Sequence, residues 1–418
     1  MYLTQNVSVN LAGLNMFAVR FLEIAGFVRV MAHREFSFSN LNDIDRAFLL
    51  FYSYTTIIFL LRSNEGQAYQ IGLAVDAVFC YFTFRGLVRD LQDLTWFLGA
   101  FVILLVPYVA LLFIEMRTSH NPFSILGGAP IVEHFRNGRV RCVGSFREYS
   151  LLGSLGASFL PLYIGFSFPK SGRIKGVTGG VLCLAIVGFS NSGSPLAFAC
   201  LAVLGWMFWP FRRRMRTVRR AGVVGLIATA ILMKAPIWYL PTHLTFGGDA
   251  WHRSYLISVT MGHIREWWLW GMPLSKTTHW FPYVDTITGT ADITNQYISF
   301  GLAAGLVAIA LFLLPLIRAF RNLGVKLAEA RTGLPCPPET EYLLWGLGVM
   351  LAAHMANFFS ITYFDQFYVI WFLQLATISS LTCGYGFVHV PVELTPHGAL
   401  SCGQAFTPSL YRHQSNGH

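Results

Sequence analysis

The segment HFRNGRVRCVGSFREY, residues 134–149, places Arg136, Arg139, Arg141 and Arg147 within twelve positions. A guanidinium is planar, keeps its charge and donates paired hydrogen bonds, so a cluster of them suits a phosphate or pyrophosphate. A further arginine, Arg253, opens the stretch HRSYLISVTMGHIREWWLWG, residues 252–271. Around these regions lie Glu148, His252, His263, Glu266, His279, Asp285 and Asp292, each able to take a proton from an attacking hydroxyl. Taken singly, a loop His or Asp is more often a hydrogen-bonded surface residue, and the simplest role of the four clustered arginines is contact with lipid headgroups. There is no Ser/His/Asp arrangement, no HExxH and no GxxxxGK[ST], so hydrolysis by those routes and nucleotide chemistry have no motif behind them.

Membrane helices must position these groups. The 418 residues are 54% hydrophobic and only 12% charged, about half the charge of a soluble domain. Apolar runs at 46–61, 69–88, 96–114, 150–168, 175–189, 194–211, 221–240, 293–320, 342–359 and 364–383 predict about ten or eleven transmembrane helices. A net charge of +10 in a polytopic protein reports orientation rather than a nucleic-acid partner. FRRRMRTVRR, residues 211–220, holds six arginines in ten and belongs in the cytoplasm. Alternating from there, Lys170, Arg173 and Lys175, then Arg318, Arg321, Lys326 and Arg331, and also Arg85 and Arg89, fall on the same side. Two outer loops follow, residues 115–149 and 241–292, so the arginines at 136–147 sit on the face that the positive-inside bias empties.

The remaining features bound the reading. The N-terminal stretch 14–31 is interrupted by Arg20, Glu23 and Arg29, reads as a poor span or an interfacial helix, and carries no recognisable cleavable signal. Within the large outer loop, residues 252–271 have helical spacing and predict a helix along the membrane interface, with Trp267, Trp268 and Trp270 at headgroup depth. The seven cysteines lie mostly in apolar runs without CxxC or Cys/His spacing, so neither a disulfide framework nor a metal site is expected. Residues 388–418 read as a loosely ordered cytoplasmic tail after a single all-α membrane domain, residues 1–418 taken together.

Four stretches carry a family resemblance. RVRCVGSFREYSLLGSLGASFLPL, residues 139–162, has an Arg-x-x-Gly-x-Phe segment leading into a Pro-containing span. GFSNSGSPLAFACLAVLGWMFW, residues 188–209, is a Ser-rich turn followed by a span. HRSYLISVTMGHIREWWLWGMPL, residues 252–274, opens an amphipathic helix on an arginine and closes on a glycine turn. DITNQYISFGLAAGLVAIALFLL, residues 292–314, has Thr294 and Asn295, nine residues, then Gly305. In type and order these resemble the O-antigen ligase and polymerase family, bacterial membrane glycosyltransferases that use undecaprenyl-diphosphate-linked glycans.

The resemblance implies a GT-C-like helical fold in the bacterial inner membrane, with a periplasmic site between the large outer loop and the helices. It implies no metal and no cofactor, an undecaprenyl-diphosphate-linked glycan as donor and a glycan or lipid-glycan as acceptor. Arg139, Arg141 and Arg253 are then expected to bind the diphosphate, with Arg147 a weaker partner, and Asp292 or His279 to take the acceptor's proton. The family often has His-Asn where this chain has Thr294-Asn295, and a threonine hydroxyl is no base near neutral pH. That difference favours a polymerase-type member, acting in O-antigen or exopolysaccharide assembly, over a ligase. The competing reading is a flippase that binds the same lipid without cleaving it; no internal repeat is visible, and Asp76 is the clearest charge inside a span.

Overall fold

Asp90 ends an extended stretch, and its carboxylate accepts the backbone N–H of Asp93 at 2.8 Å. That cap starts a 28-residue helix, Leu91–Thr118, through the apolar run expected at 96–114. Asn42 does the same for the helix Asp43–Arg62, its side-chain oxygen taking the N–H groups of Ile44 and Asp45, each at 2.9 Å. The computed structural model describes residues 2–4, 8–11, 14–62, 66–126, 135–136, 138–240, 250–280, 292–332 and 338–382. Contacts divide the chain into Met1–Gly386 and Phe387–His418; the second unit, which contains the expected tail, lies outside the described residues.

The helices, in order, are α1 Ala18–Ala32, α2 Asp43–Arg62, α3 Gln67–Leu87, α4 Leu91–Thr118, α5 Tyr149–Ser167, α6 Arg173–Ser190, α7 Gly193–Met207, α8 Met215–Leu232, α9 Ala250–Gly262, α10 Ile264–Trp267, α11 Gln296–Thr332, α12 Pro338–Asn357 and α13 Phe367–Thr382. Among the described residues two small antiparallel hairpins accompany them: β1 Ser8–Leu11 with β2 Leu14–Phe17, and β3 Phe135–Arg136 with β4 Arg139–Val140. The architecture is that of an all-α polytopic membrane protein. Among the described residues five helices, α2, α4, α5, α6 and α11, are long and apolar enough to cross a bilayer. A sixth crossing is possible if α7 and the segment Trp209–Leu232, bent by 67°, act as one. Helices α3 and α12 have spanning length, with 21 and 20 residues, but carry Asp76 and Arg85, and Glu341 and His354. The apolar α13 has 16 residues.

Helix α5 is the axis of the core, buried along almost its whole length. Its small residues let neighbours approach closely, as membrane helices commonly do. A side chain at Gly156 would place its Cβ 2.3 Å from the Cys183 carbonyl oxygen on α6, so only glycine fits there. At one end of the bundle a buried ion pair ties three helices together. Arg85 donates to both oxygens of Asp45 at 2.9 and 3.0 Å and to Ser380 Oγ at 2.7 Å, while Tyr81 and Ser379 also donate to Asp45. Each charge there is met by hydrogen bonds, the condition under which burying a pair is tolerated.

Three sequence expectations change. The stretch 14–31 is a strand followed by a 15-residue helix. The expected span at 221–240 ends at Leu232, where the chain turns around Pro236; α8 instead begins inside the arginine run, and none of its residues is buried. The expected interfacial helix at 252–271 is broken at His263 into α9 and α10.

Candidate functional site

The residues after Arg141 form a tightly held loop. The Glu115 carboxylate, at the end of α4, accepts the N–H of Val143 at 2.8 Å and that of Gly144 at 3.0 Å. Cys142 N–H donates to the Phe189 carbonyl at the end of α6. Gly144 has φ +57°, and a Cβ there would meet the Tyr108 hydroxyl at 2.8 Å and Leu112 Cδ2 at 2.9 Å, so the turn requires glycine. Asn121 donates to the Gly144 carbonyl, Gln366 to that of Ser145, and Arg147 N–H to Asp365. Residues from three parts of the fold thus converge on one loop, which a membrane-facing turn needs if its backbone is to be buried.

That loop delivers Arg141. Its guanidinium carbon lies 3.2 Å from the centre of the Tyr149 ring, and its Nε is buried without a hydrogen-bond partner. An arginine fixed by stacking, with donor capacity left over, is prepared for an anion. Burial loosens its hold on the proton, while Tyr149 and Glu148 favour its charge and Arg136 opposes it. Arg139 is exposed on β4 opposite Arg136. Arg147 stands 4.0 Å from the buried Asp365 carboxylate and is 43% exposed.

Glu148 immediately precedes α5. Its carboxyl is pushed above the ordinary carboxylate range, first by burial, then by the charge of Asp292, with Arg141 pulling the other way. Glu148, Asp292 and Arg141 therefore share one electrostatic neighbourhood. Two residues named from the sequence, Arg141 and Asp292, thus act on the charge of Glu148, although 144 positions of chain separate the two carboxylates (292 − 148).

The segment after Asp292 is laced to the turn between α12 and α13. Asn295 caps α11, its Oδ1 accepting the Ile298 N–H at 3.1 Å while its Nδ2 donates to the Phe359 carbonyl. Gln296 N–H donates to the Phe358 carbonyl, and Gln296 Oε1 accepts the Tyr363 N–H. Asn295 is a structural cap, and its neighbour Thr294 has a hydroxyl that is buried without a hydrogen-bond partner. Below, Tyr363 OH contacts His354 Nδ1 at 2.6 Å and accepts from Asn357.

Gly305 breaks α11. Ala304 and Gly305 leave helical geometry, Gly305 at φ +81°, and a Cβ on Gly305 would lie 2.3 Å from the Leu269 carbonyl oxygen. The segment around α10 and Arg62 of α2 fill the break: Leu306 N–H donates to Trp268 O at 2.7 Å, and Met272 N–H and Arg62 Nη1 both donate to Leu302 O at 2.8 Å. Backbone groups freed by a broken membrane helix must find partners in protein, and these do.

The same docking corrects the expected tryptophan row. Trp267 is 2% exposed, with its indole N–H donating to Thr260 O, whereas Trp268 and Trp270 are exposed. Arg253 lies half-buried in α9. His279 is exposed, and its ring contacts are with His263 and Trp280; His263 also meets Glu266 at 2.6 Å. His252 is half-buried in α9, and Asp285 lies outside the described residues. Among the described residues no group of three or more His, Cys, Asp or Glu is placed to hold a metal.

Glu115, Tyr149 and Asp365 were not singled out from sequence. Glu115 had one visible signal, a carboxylate directly after the apolar run of α4. No family model matches this chain, and no curated protein matches it.

Proposed function

We propose that this protein transfers a glycan from an undecaprenyl-diphosphate donor to a hydroxyl of a glycan or lipid-glycan acceptor, as a polymerase or ligase, at the outer face of the bacterial inner membrane. The observation that carries the reading is Arg141, stacked on Tyr149, with a buried Nε lacking an acceptor and with Glu148, itself raised by the charge of Asp292, in its field. The resemblance at residues 139–162, 188–209, 252–274 and 292–314 supports it independently.

In this mechanism Arg141, with Arg139 and Arg253, binds the donor diphosphate. The acceptor oxygen attacks the anomeric carbon, the bond from that carbon to the phosphate oxygen breaks, and the diphosphate leaves with the electron pair. Arginines aimed at the leaving group stabilise that developing charge, a contribution of about 3 kcal/mol for one well-placed donor. The Asp292–Glu148 pair takes the acceptor's proton, and His279 is the competing base. The broken α11 and the loop docked in it supply the outer wall, in a GT-C-like arrangement of about ten or eleven spans. No metal or cofactor enters a step.

The test is release of undecaprenyl diphosphate from lipid-linked oligosaccharide by the purified protein in nanodiscs, with and without acceptor. Acceptor-dependent release that disappears in Arg141→Ala supports transfer, and product length separates polymerase from ligase. A second reading, a flippase for the same lipid, is favoured by one observation, the buried Arg20–Asp76 pair between α1 and α3. Donor binding without release would select it.

A further inference from the structure

Helices α1, α3 and α13 meet at a charged cluster that the outer-face site does not use. Arg20 on α1 donates to both oxygens of Asp76 on α3, from Nε at 2.6 Å and from Nη2 at 2.5 Å. Gly72, one turn before Asp76, makes room: a Cβ there would lie 2.9 Å from Arg20 Nη2. Glu23, one turn after Arg20, accepts the Tyr368 hydroxyl of α13 on Oε1 at 2.9 Å. Glu23 is 6% exposed and Asp76 5%. Asp76 is the tenth residue of a 21-residue helix, about 14 Å from its start.

Two features show that something is missing from this cluster as a set of ionised groups. The first is charge: one guanidinium faces two carboxylates, leaving a net negative charge in a buried site. The other groups facing it are neutral hydrogen-bonding side chains, Cys80 and Tyr69 from α3 and Tyr368 from α13. The second is Glu23 Oε2, which is buried and has no donor. Asp76 already has both Arg20 bonds, and the two carboxyl groups are close enough to hydrogen bond to each other. Two ionised carboxylates cannot hydrogen bond, since neither has a proton to give.

We propose that this is a proton-binding site, in which one proton resides on Glu23 Oε2 and is donated to Asp76. That O–H bond removes the excess charge and satisfies the last buried oxygen. When it breaks, the proton leaves and α1 is held against α3 and α13 by a cluster with one uncompensated negative charge. The ligand is the proton itself, and the site stands whether the outer face transfers or only binds a lipid-linked glycan.

Infrared difference spectroscopy of the full chain in nanodiscs tests this through the C=O stretch of a protonated carboxyl. An ordinary glutamate, with pKa about 4.3, is ionised at neutral pH. The expected result is a protonated-carboxyl component at neutral pH that is lost in Glu23→Gln, whose amide N–H replaces the acid proton. No such band in the unaltered protein, or the same band in Glu23→Gln, overturns the proposal. Should Glu23→Gln fail to insert, Tyr368→Phe reports on the same proton: loss of the bond to Oε1 raises the stretching frequency of that carboxyl. A band that does not move in Tyr368→Phe overturns the assignment to Glu23.

Discussion

Glu115 Oε2 lies 3.0 Å from the backbone nitrogen of Gly144, while its other oxygen holds Val143, so one carboxylate clamps the turn immediately after Arg141. Glu115→Ala leaves two buried N–H groups without an acceptor, at about 1–3 kcal/mol each. Unfolding measurements should show that loss, and donor binding should weaken because Arg141 is no longer seated. Wild-type stability in Glu115→Ala would contradict the clamp.

Arg141 combines a planar charge with a stacked ring, and lysine reproduces only the charge. Arg141→Lys should keep the protein folded and reduce transfer by about 100-fold, with Arg141→Ala lower still. Kinetics on lipid-linked oligosaccharide measure both, and an unimpaired lysine variant would remove Arg141 from the mechanism.

The carboxyl of Glu148 is raised above its ordinary range by burial and by Asp292. A base must be unprotonated to act, so activity should be full above that raised pKa and fall as pH drops through it. In Glu148→Gln, which removes the raised carboxyl, the acidic limb should move to lower pH. An unchanged pH profile would separate Glu148 from the reaction.

Asp292 and His279 compete for the proton. Asp292→Asn should lower kcat with little change in KM, whereas His279→Ala should leave turnover within about 3-fold, below the usual effect of removing a general base. The reverse pattern assigns the proton to His279.

Gly305 meets the Trp268–Leu269 backbone at the break in α11. Gly305→Ala should destabilise by about 1–3 kcal/mol through positive φ and crowding of Leu269 O. Proteolysis of the large outer loop should accelerate in parallel, and a wild-type digestion rate would show that the loop does not depend on the break.

Much of the site was legible in the sequence, and for identifiable reasons. The four arginines at 136–147 stand out because counting spans from the basic loops puts them on the face that the positive-inside bias is expected to empty, and Glu148 and Asp292 were among the residues able to accept a proton. Asn295 and Gly305 were visible as a spacing, but their tasks were not. One caps α11 and the other breaks it.

The sequence by itself determined the class of the protein. Long apolar runs have to become helices, because backbone groups inside lipid find partners only within their own helix or in buried protein, and that rule operates locally. Tertiary structure alone decided the pairings. Arg20 meets Asp76 across 56 positions and Arg147 meets Asp365 across 218. Trp267 is turned inward while Trp268 faces outward, although the sequence alone suggested the same headgroup depth for both. Which carboxylate clamps a loop, and which keeps an oxygen without a donor, depends on groups brought together only when the helices pack.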